Sequence, residues 1–282
     1  MTTERFVVFD CEGSSCVGVL SVAPPSATAA SVGVVIVVGG PQYRVGSHRQ
    51  FALLARALAR AGVPTLRFDY RGIGDSEGDP RSFESIGSDL ACAVDALCRE
   101  ASVERVVLWG LCDGASAAFM YAAVDARIAG IVAVNPWARS TRGEATTRLR
   151  HYYLRRLVSA NFWRKLFTGG VDARRASGEL GATVRNASAR STTSSSPFLD
   201  RMEEGWRRYR RPALLLLSGN DLTAREFEAW LAADVNRKRL ADGPLTKVLP
   251  FAGADHTFSS RTWRDAVASA TLEWIVGTCR RS

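Results

Sequence analysis

The segment from Val106 to Ser116 places the strongest constraint on how this chain folds. An apolar run that ends at Trp109 meets Gly110, and a helix of small residues follows Cys112. This is the strand, turn and helix of a nucleophile elbow, G-x-S-x-G, with cysteine in the place of serine. The turn puts Cys112 at a helix N-terminus, where the helix dipole and free N–H groups favour a thiolate. The alternative is a buried structural cysteine in a glycine-containing turn.

Two later segments supply candidate partners for Cys112, in the chain order that such a site requires. Asp221 follows the apolar run 213–217, and His256 lies in a loop just past another strand-like run. We expect Cys112 to be the nucleophile, His256 the base and Asp221 the carboxylate that orients the base. Each assignment has an alternative. Asp221 could only cap the next helix, and His256 could be a surface loop histidine. Asp255 is the rival candidate for the acid.

Backbone donors for an oxyanion are predicted at a second glycine turn. The apolar run 31–38 has the pattern of a strand buried on both faces of a parallel sheet, and Gly39-Gly40-Pro41 follows it. Because Pro41 has no N–H, Gly40 is expected to be one donor. The N–H of Asp113, the residue after the nucleophile, is expected to be the other. The alternative is a glycine turn without a catalytic role.

Three side chains of the same loop are candidates for contact with a substrate: Gln42, Arg44 and His48. The N–H of Gln42 is also a reserve donor for the oxyanion. A loop salt bridge or a helix cap explains Arg44 and His48 equally well.

Strands and helices are predicted to alternate along most of the chain. An antiparallel pair is expected at 5–9 and 16–23. Apolar strands are then expected at 31–38, 65–70, 106–109, 128–135, 213–217 and 247–250, and segments with helical spacing lie between several of them. This order indicates an α/β fold with a doubly wound, mostly parallel sheet.

The interval 138–211 breaks the alternation and is predicted to be a helical cap between two parts of the core, 1–137 and 212–282. Within it, the Ser-rich residues 186–196 are predicted to be flexible. Residues 139–211 hold 17 Lys and Arg against six Asp and Glu, whereas the whole chain has a net charge of +9. The basic character of the chain therefore belongs to the predicted cap.

A basic cap favours acidic partners, such as an anionic acyl substrate, a phosphate-bearing acyl carrier or a lipid headgroup surface. The alternative is a solvated basic helix whose aromatic side chains pack onto the sheet domain. Nucleic acid is not expected as a partner, because no recognised binding motif accompanies the charge.

No cofactor and no metal are predicted. The Gly-Gly-Pro turn is not a dinucleotide fingerprint. The six cysteines lack zinc-like spacing, since Cys11 and Cys16 have no matching second pair. No run approaches ~18 apolar residues and the N-terminus lacks signal-peptide features, so we expect a cytoplasmic chain with reduced thiols.

Together these segments resemble an α/β hydrolase, and more narrowly the family called exosortase A system-associated hydrolase 1. The blocks that carry the resemblance are 37–51, 66–72, 108–116, 135–137, 162–166, 216–227 and 254–258. The resemblance implies an α/β-hydrolase fold and a cytosolic Gram-negative enzyme encoded beside exopolysaccharide and protein-sorting genes. The elbow cysteine is also locally similar to that of dienelactone hydrolases.

A cysteine nucleophile shapes the chemistry that we predict. A thiolate attacks an ester or thioester without strong general-base help, and the acyl-enzyme that it forms is itself a thioester. We therefore expect an esterase-like or thioesterase-like hydrolase with a Cys112-His256-Asp221 triad. The alternatives are acyl transfer by the same site, or a non-catalytic protein that docks on membrane-bound polysaccharide machinery.

Overall fold

Eight strands form a single mixed sheet in the part of the chain that the computed structural model describes, residues 2–23, 31–40, 42–139 and 197–279. The strands are β1 (Thr3–Cys11), β2 (Ser14–Val22), β3 (Val32–Val37), β4 (Thr65–Phe68), β5 (Arg105–Leu111), β6 (Ile128–Val134), β7 (Ala213–Ser218) and β8 (Thr246–Phe251). Their order across the sheet is β1-β2-β4-β3-β5-β6-β7-β8. The pairs β1–β2 and β2–β4 are antiparallel, and every later pair is parallel. The predicted α/β fold and its opening antiparallel pair are confirmed.

Helices cover both faces of this sheet. Those in the described residues are α1 (Gln50–Arg60), α2 (Gly87–Ala101), α3 (Asp113–Ala122), α4 (Pro197–Arg208), α5 (Leu222–Ala232), α6 (Val235–Ala241) and α7 (Arg261–Trp274). Side chains of β5 alternate between two buried clusters: Val106 and Leu108 pack with α2, α3 and α4, and Val107 and Trp109 pack with α1 and α7. All six residues of β3 are buried, as expected for a strand covered on both faces. None of the described helices has the length and apolar content needed to cross a membrane.

Helix α4 lies inside the interval predicted as a cap, and it packs on the sheet. Its apolar side chains are buried in the cluster that also holds α3. A Cβ on Gly205 would overlap the carbonyl oxygen of Phe119, so the two helices are in close contact. Residues 197–211 thus belong to the compact unit of the sheet. Residues 140–196 of the predicted cap, which include the Ser-rich segment 186–196, lie outside the described residues.

A buried network of hydrogen bonds joins the carboxyl ends of β6 and β7 to the loop after β8. The Asn135 side chain accepts a hydrogen bond from the Ser218 N–H at 2.8 Å and donates to the Ser218 hydroxyl at 2.9 Å. It also donates to the carbonyl oxygen of His256 at 3.1 Å. The Ser218 hydroxyl donates in turn to the carbonyl oxygen of Asp255 at 2.9 Å. These bonds fix the backbone of the loop that carries His256.

We expect Gly205→Ala to lower the free energy of unfolding by about 1–3 kcal/mol, because the added methyl group overpacks the contact between α3 and α4. Gly87→Ala is the matched control, since a Cβ at Gly87 meets nothing within 4 Å at the start of α2. Alanine there should be neutral or stabilising by up to about 1 kcal/mol. Urea unfolding followed by circular dichroism measures both. Equal free energies for the two variants would contradict the close packing of α4.

We expect Asn135→Ala to destabilise the protein by about 1–3 kcal/mol, because it leaves the buried Ser218 N–H and the His256 carbonyl without partners. Asn220→Ala removes an exposed amide that donates to the Gly253 carbonyl oxygen at 3.3 Å, and its effect should stay within about 0.5 kcal/mol. The comparison uses urea unfolding of both variants beside the wild type. An Asn135→Ala effect as small as the control would show that the network contributes little to stability.

Candidate active site

Cys112 lies between the end of β5 and the start of α3, in a backbone conformation that non-glycine residues rarely adopt. Its φ is 59° and its ψ −125°, and it is the N-cap residue of α3. Such strain costs of the order of 1–3 kcal/mol and persists where the surroundings fix the backbone. Here the Cys112 N–H donates to the Val134 carbonyl oxygen at 2.9 Å, and the Cys112 carbonyl accepts from the Trp137 N–H at 3.2 Å. The sharp strand-to-helix turn predicted from the sequence is present.

Glycines leave the space that this turn needs. A Cβ on Gly110 would lie 2.5 Å from the backbone of Gly114, and a Cβ on Gly114 would lie 2.5 Å from the carbonyl oxygen of Val37. A Cβ on Gly39 would overlap the chain just before Cys112. The loop after β3 therefore approaches the turn more closely than any side chain at these positions would allow.

His256 and Asp221 meet beyond the carboxyl ends of β7 and β8. The distance between His256 Nδ1 and Asp221 Oδ2 is 2.8 Å. The Asp221 carboxylate also caps α5, because it accepts from the N–H groups of Thr223 at 3.2 Å and Ala224 at 3.1 Å. Asp221 is therefore both a helix cap and the partner of the His256 ring. Two backbone hydrogen bonds hold the carboxylate in a fixed position against that ring.

Asp255, the rival acid, bonds within its own loop. Its carboxylate accepts from the N–H groups of Thr257 at 3.2 Å and Ser259 at 3.0 Å, and the Ser259 hydroxyl also donates to it. Burial raises the pKa of Asp255, but these hydrogen bonds outweigh burial and lower the pKa overall. His48, another residue predicted to contact substrate, has a strained backbone with φ of 52°.

The side chain of Asp113 lies against the glycine turn after β3, because a Cβ on Gly39 would overlap Asp113 Oδ1. The Gly114 N–H donates to Asp113 Oδ1 at 3.1 Å. Burial raises the pKa of Asp113, and nearby backbone N–H groups, together with the charge of His256, only partly offset that rise. The predicted donors Gly40 and Asp113 thus belong to two backbone segments that approach each other closely beside Cys112.

Two of the polar side chains predicted to contact substrate have partners in the structure, Arg44 in the loop after β4 and Gln42 in its own loop. The buried Arg44 guanidinium forms ion pairs with Asp69 and, at 2.5 Å, with Asp75. Gln42 Oε1 accepts from the Ser47 N–H at 3.1 Å. The loop salt bridge, which is the alternative role for Arg44, is therefore present in the structure.

The fold brings together three possible metal ligands that spacing in the sequence did not predict: Cys11, Cys16 and Asp89. Their ligand atoms lie within 4.8 Å of one another. The Arg71 guanidinium holds both oxygens of Asp89, at 2.9 and 3.0 Å. Burial raises the pKa of Cys16 to about 11 and raises that of Cys11 further, so both thiols keep their protons. A metal ion would have to displace Arg71 and two protons, so these residues fit a buried ion pair beside thiols better than a metal site.

The sequence did not predict the hydrogen bonds of the Asn135 side chain or the position of the Asp113 carboxyl. The available signal for Asn135 was a polar residue directly after an apolar strand and directly before a proline. The backbone N–H of Asp113 is predicted as an oxyanion donor, whereas the sequence predicts no role for its carboxyl. Both features depend on side-chain contacts between segments that are distant along the chain.

Residues 34–270 match the model of the alpha/beta hydrolase family. The fold is similar to that of an esterase from Pyrococcus furiosus, with a TM-score of 0.66 and 14% identity over 98% of this chain and 93% of that one. At this identity the similarity concerns the fold alone.

Curated relatives match a shorter part of the chain. A polyketide transferase, grgF, from Penicillium sp is 33% identical over 93 residues, which cover 31% of this chain and 32% of the relative. A thiohydrolase, apmlB, from Arthrinium phaeospermum is 34% identical over 104 residues, which cover 35% of this chain and 34% of the relative. The matches to curated relatives span about a third of their length or less.

The family match extends from β3 into α7 and therefore covers most of the chain. The order and direction of the strands agree with it. The chain belongs to the alpha/beta hydrolase family.

Proposed function

We propose that this protein hydrolyses carboxylic esters or thioesters through an acyl-enzyme on Cys112, with His256 as the base and Asp221 as the orienting carboxylate. The 2.8 Å contact between His256 Nδ1 and Asp221 Oδ2 carries the proposal. A carboxylate on Nδ1 fixes the ring so that Nε2 is the nitrogen that exchanges protons. The Cys112 N–H donates to the Val134 carbonyl oxygen and the His256 carbonyl accepts from the neighbouring Asn135, so the backbones of the proposed nucleophile and base meet at the end of β6.

The proposed reaction has two steps. His256 takes the proton of the Cys112 thiol, and the thiolate attacks the carbonyl carbon. The C–S bond forms, and the carbonyl electron pair moves onto its oxygen, which accepts from the Gly40 and Asp113 N–H groups. The tetrahedral intermediate collapses, and the leaving group departs with the proton from His256. His256 then takes a proton from water as the water attacks the thioester, and collapse releases the acid and the Cys112 thiolate, which regains its proton from His256.

Acyl transfer by the same site is the second candidate. The acyl-enzyme of a cysteine is a thioester, and thioesters react readily with amines and thiols as well as with water. The names of two curated relatives, a thiohydrolase and a polyketide transferase, fit the two outcomes. Water as acceptor gives hydrolysis, and an amine or hydroxyl of a second substrate gives transfer.

The wider role follows from the resemblance to the exosortase A system-associated family and from the basic interval 139–211. In this role the protein acts in the cytoplasm on an anionic acyl substrate, and the reaction serves exopolysaccharide synthesis. The protein also makes peripheral contact with a membrane or with polysaccharide machinery. Salt-dependent binding to anionic vesicles by the Cys112→Ala variant would support the membrane contact. Equal binding to neutral vesicles would oppose it.

We expect Cys112→Ala to lower turnover of p-nitrophenyl butyrate and of short acyl-CoA thioesters by about 1,000-fold or more, because the nucleophile is lost. Intact mass spectrometry should detect an acyl adduct on the wild type and none on Cys112→Ala. Cys98→Ala is the matched control, since Cys98 is another half-buried thiol and its pKa is raised by burial. This control should keep both activity and adduct.

The decay of the adduct decides between the two candidates. Faster decay with added amines or alcohols, with the acyl group found on the acceptor, indicates transfer. Decay that is independent of these acceptors indicates hydrolysis. Turnover by Cys112→Ala at the wild-type rate would exclude the proposed mechanism altogether.

A further inference from the structure

A groove with apolar walls lies between α1 and α7 on one face of the sheet. Its volume is about 360 Å³, within the range of about 300–1,000 Å³ that small-molecule sites occupy. The apolar lining comes from residues that belong to one buried cluster or pack against it: Leu54, Trp109, Phe258, Val267 and Ala268. Cys112, Asp221 and His256 do not line the groove. The groove is therefore distinct from the proposed catalytic residues.

The charged residues that line this groove are mostly cations. Both helices begin at the same edge of the sheet, because α1 follows β3 and α7 follows β8, and these strands are parallel. Arg49 directly precedes α1, and Arg60 lies in its last turn. Arg261 and Arg264 lie in the first turn of α7, and Asp265 follows them. Four arginines against one aspartate, among the described lining residues, favour an anionic ligand.

Much of this positive charge lacks compensation. In the part of the chain that the structure describes, no carboxylate forms an ion pair with Arg49 or Arg60, whereas Arg56 of the same helix pairs with Glu4 at 2.6 Å. Among the acids of the described lining, only Asp265 faces these cations. A ligand with a negative head group would therefore gain guanidinium donors that no carboxylate of the described residues occupies.

A buried amide at the groove lacks a hydrogen-bond acceptor. Gln50, the first residue of α1, lines the groove and is only 8% exposed. Its Nε2 is buried and finds no acceptor among the described residues. A buried N–H donor without an acceptor costs free energy, so such donors normally have a partner. An oxygen atom of a bound ligand would supply the acceptor that Gln50 lacks.

We propose that the groove between α1 and α7 is a second ligand site, which binds a medium-chain aliphatic carboxylate. Arg49 and Gln50 are adjacent in the chain and both line the groove, so one carboxylate head group can accept hydrogen bonds from both. The alkyl chain packs on the apolar lining, where its burial supplies the hydrophobic part of the binding free energy. This site needs no reaction at Cys112 and goes beyond the proposed function.

The size and the charges of the groove select this class of ligand. A volume of about 360 Å³ is near the lower end of the range for small-molecule sites, which favours a short or medium chain. The exposed Asp265 repels a dianionic phosphate head group more than a monoanionic carboxylate. A flat membrane surface does not fit, because it cannot reach the buried Gln50 amide.

Calorimetric titration with sodium octanoate, 1-octanol and octyl phosphate tests the class of ligand. We expect one octanoate to bind per chain. Octanol has the same chain without the charge and should bind about tenfold more weakly or worse, because it loses the charge-assisted hydrogen bonds. The absence of octanoate binding, equal binding of octanol, or tighter binding of octyl phosphate overturns the proposal.

Gln50→Leu separates ligand binding from folding. Leucine removes the unpartnered amide, so the free energy of unfolding should stay the same or rise, whereas octanoate should bind about tenfold more weakly. Arg49→Gln should weaken octanoate binding by a similar factor and reduce its dependence on salt. Arg239→Gln is the control for the loss of one positive charge, since Arg239 is exposed on α6 and does not line the groove. Wild-type affinity in Gln50→Leu or in Arg49→Gln overturns the proposed site.

The indole N–H of Trp109 reports where the ligand lies. It donates to Thr271 Oγ1 at 3.3 Å, on the face of the sheet that α1 and α7 cover. In protein that contains nitrogen-15 tryptophan, the Trp109 indole signal, assigned by its loss in Trp109→Phe, should shift as octanoate is added. The signals of Trp206 and Trp230, which belong to the cluster on the other face, should stay in place. Octanoate binding without a shift of the Trp109 signal overturns the site.

Cys112→Ala separates this inference from the proposed function. Octanoate is also the acid that hydrolysis of an octanoyl ester would release, so it has a possible second place at the catalytic residues. We expect Cys112→Ala to bind octanoate with wild-type affinity, even though its turnover is lost. Loss of octanoate binding in Cys112→Ala would place the carboxylate at Cys112 and overturn the groove site, and it would leave the proposed reaction intact.

Discussion

The site depends on the close approach of β3, β5 and the start of α3, which holds Cys112 in a strained conformation. Val37 and Gly110 are register partners in the parallel pair β3–β5, and Gly114 lies against the Val37 carbonyl oxygen. The φ of 59° at Cys112 costs about 1–3 kcal/mol, a cost that the packing of two buried clusters against the sheet must offset. A side chain at Gly110 or Gly114 would separate these elements and release the turn. Strain at Cys112 and the position of the loop after β3 are therefore consequences of one packing constraint.

Parallel strands bring the remaining groups to the same edge, because the carboxyl ends of β5, β6, β7 and β8 face one side. Asp221 follows β7, and its carboxylate is held by two N–H groups of α5 before it meets His256. The Asn135 network then ties the His256 backbone to the ends of β6 and β7. The ring is thus positioned from both sides, by a carboxylate on Nδ1 and by hydrogen bonds to its own main chain. Such support is what keeps a base within reach of a nucleophile.

The features that could be predicted from the sequence are those set by local pattern. Apolar runs of strand length and glycines at the turns predict the sheet. When a polar or thiol residue comes directly after a strand, that position predicts the edge of the sheet at which the residue lies. Cys112, Asp221 and His256 were predicted in this way, and the structure places each of them just after a strand. No local pattern encodes contacts between segments far apart in the chain, such as the ion pair between Arg71 and Asp89 or the hydrogen bonds of Asn135. The contact between α4 and α3, where Gly205 meets the carbonyl oxygen of Phe119, joins distant segments as well.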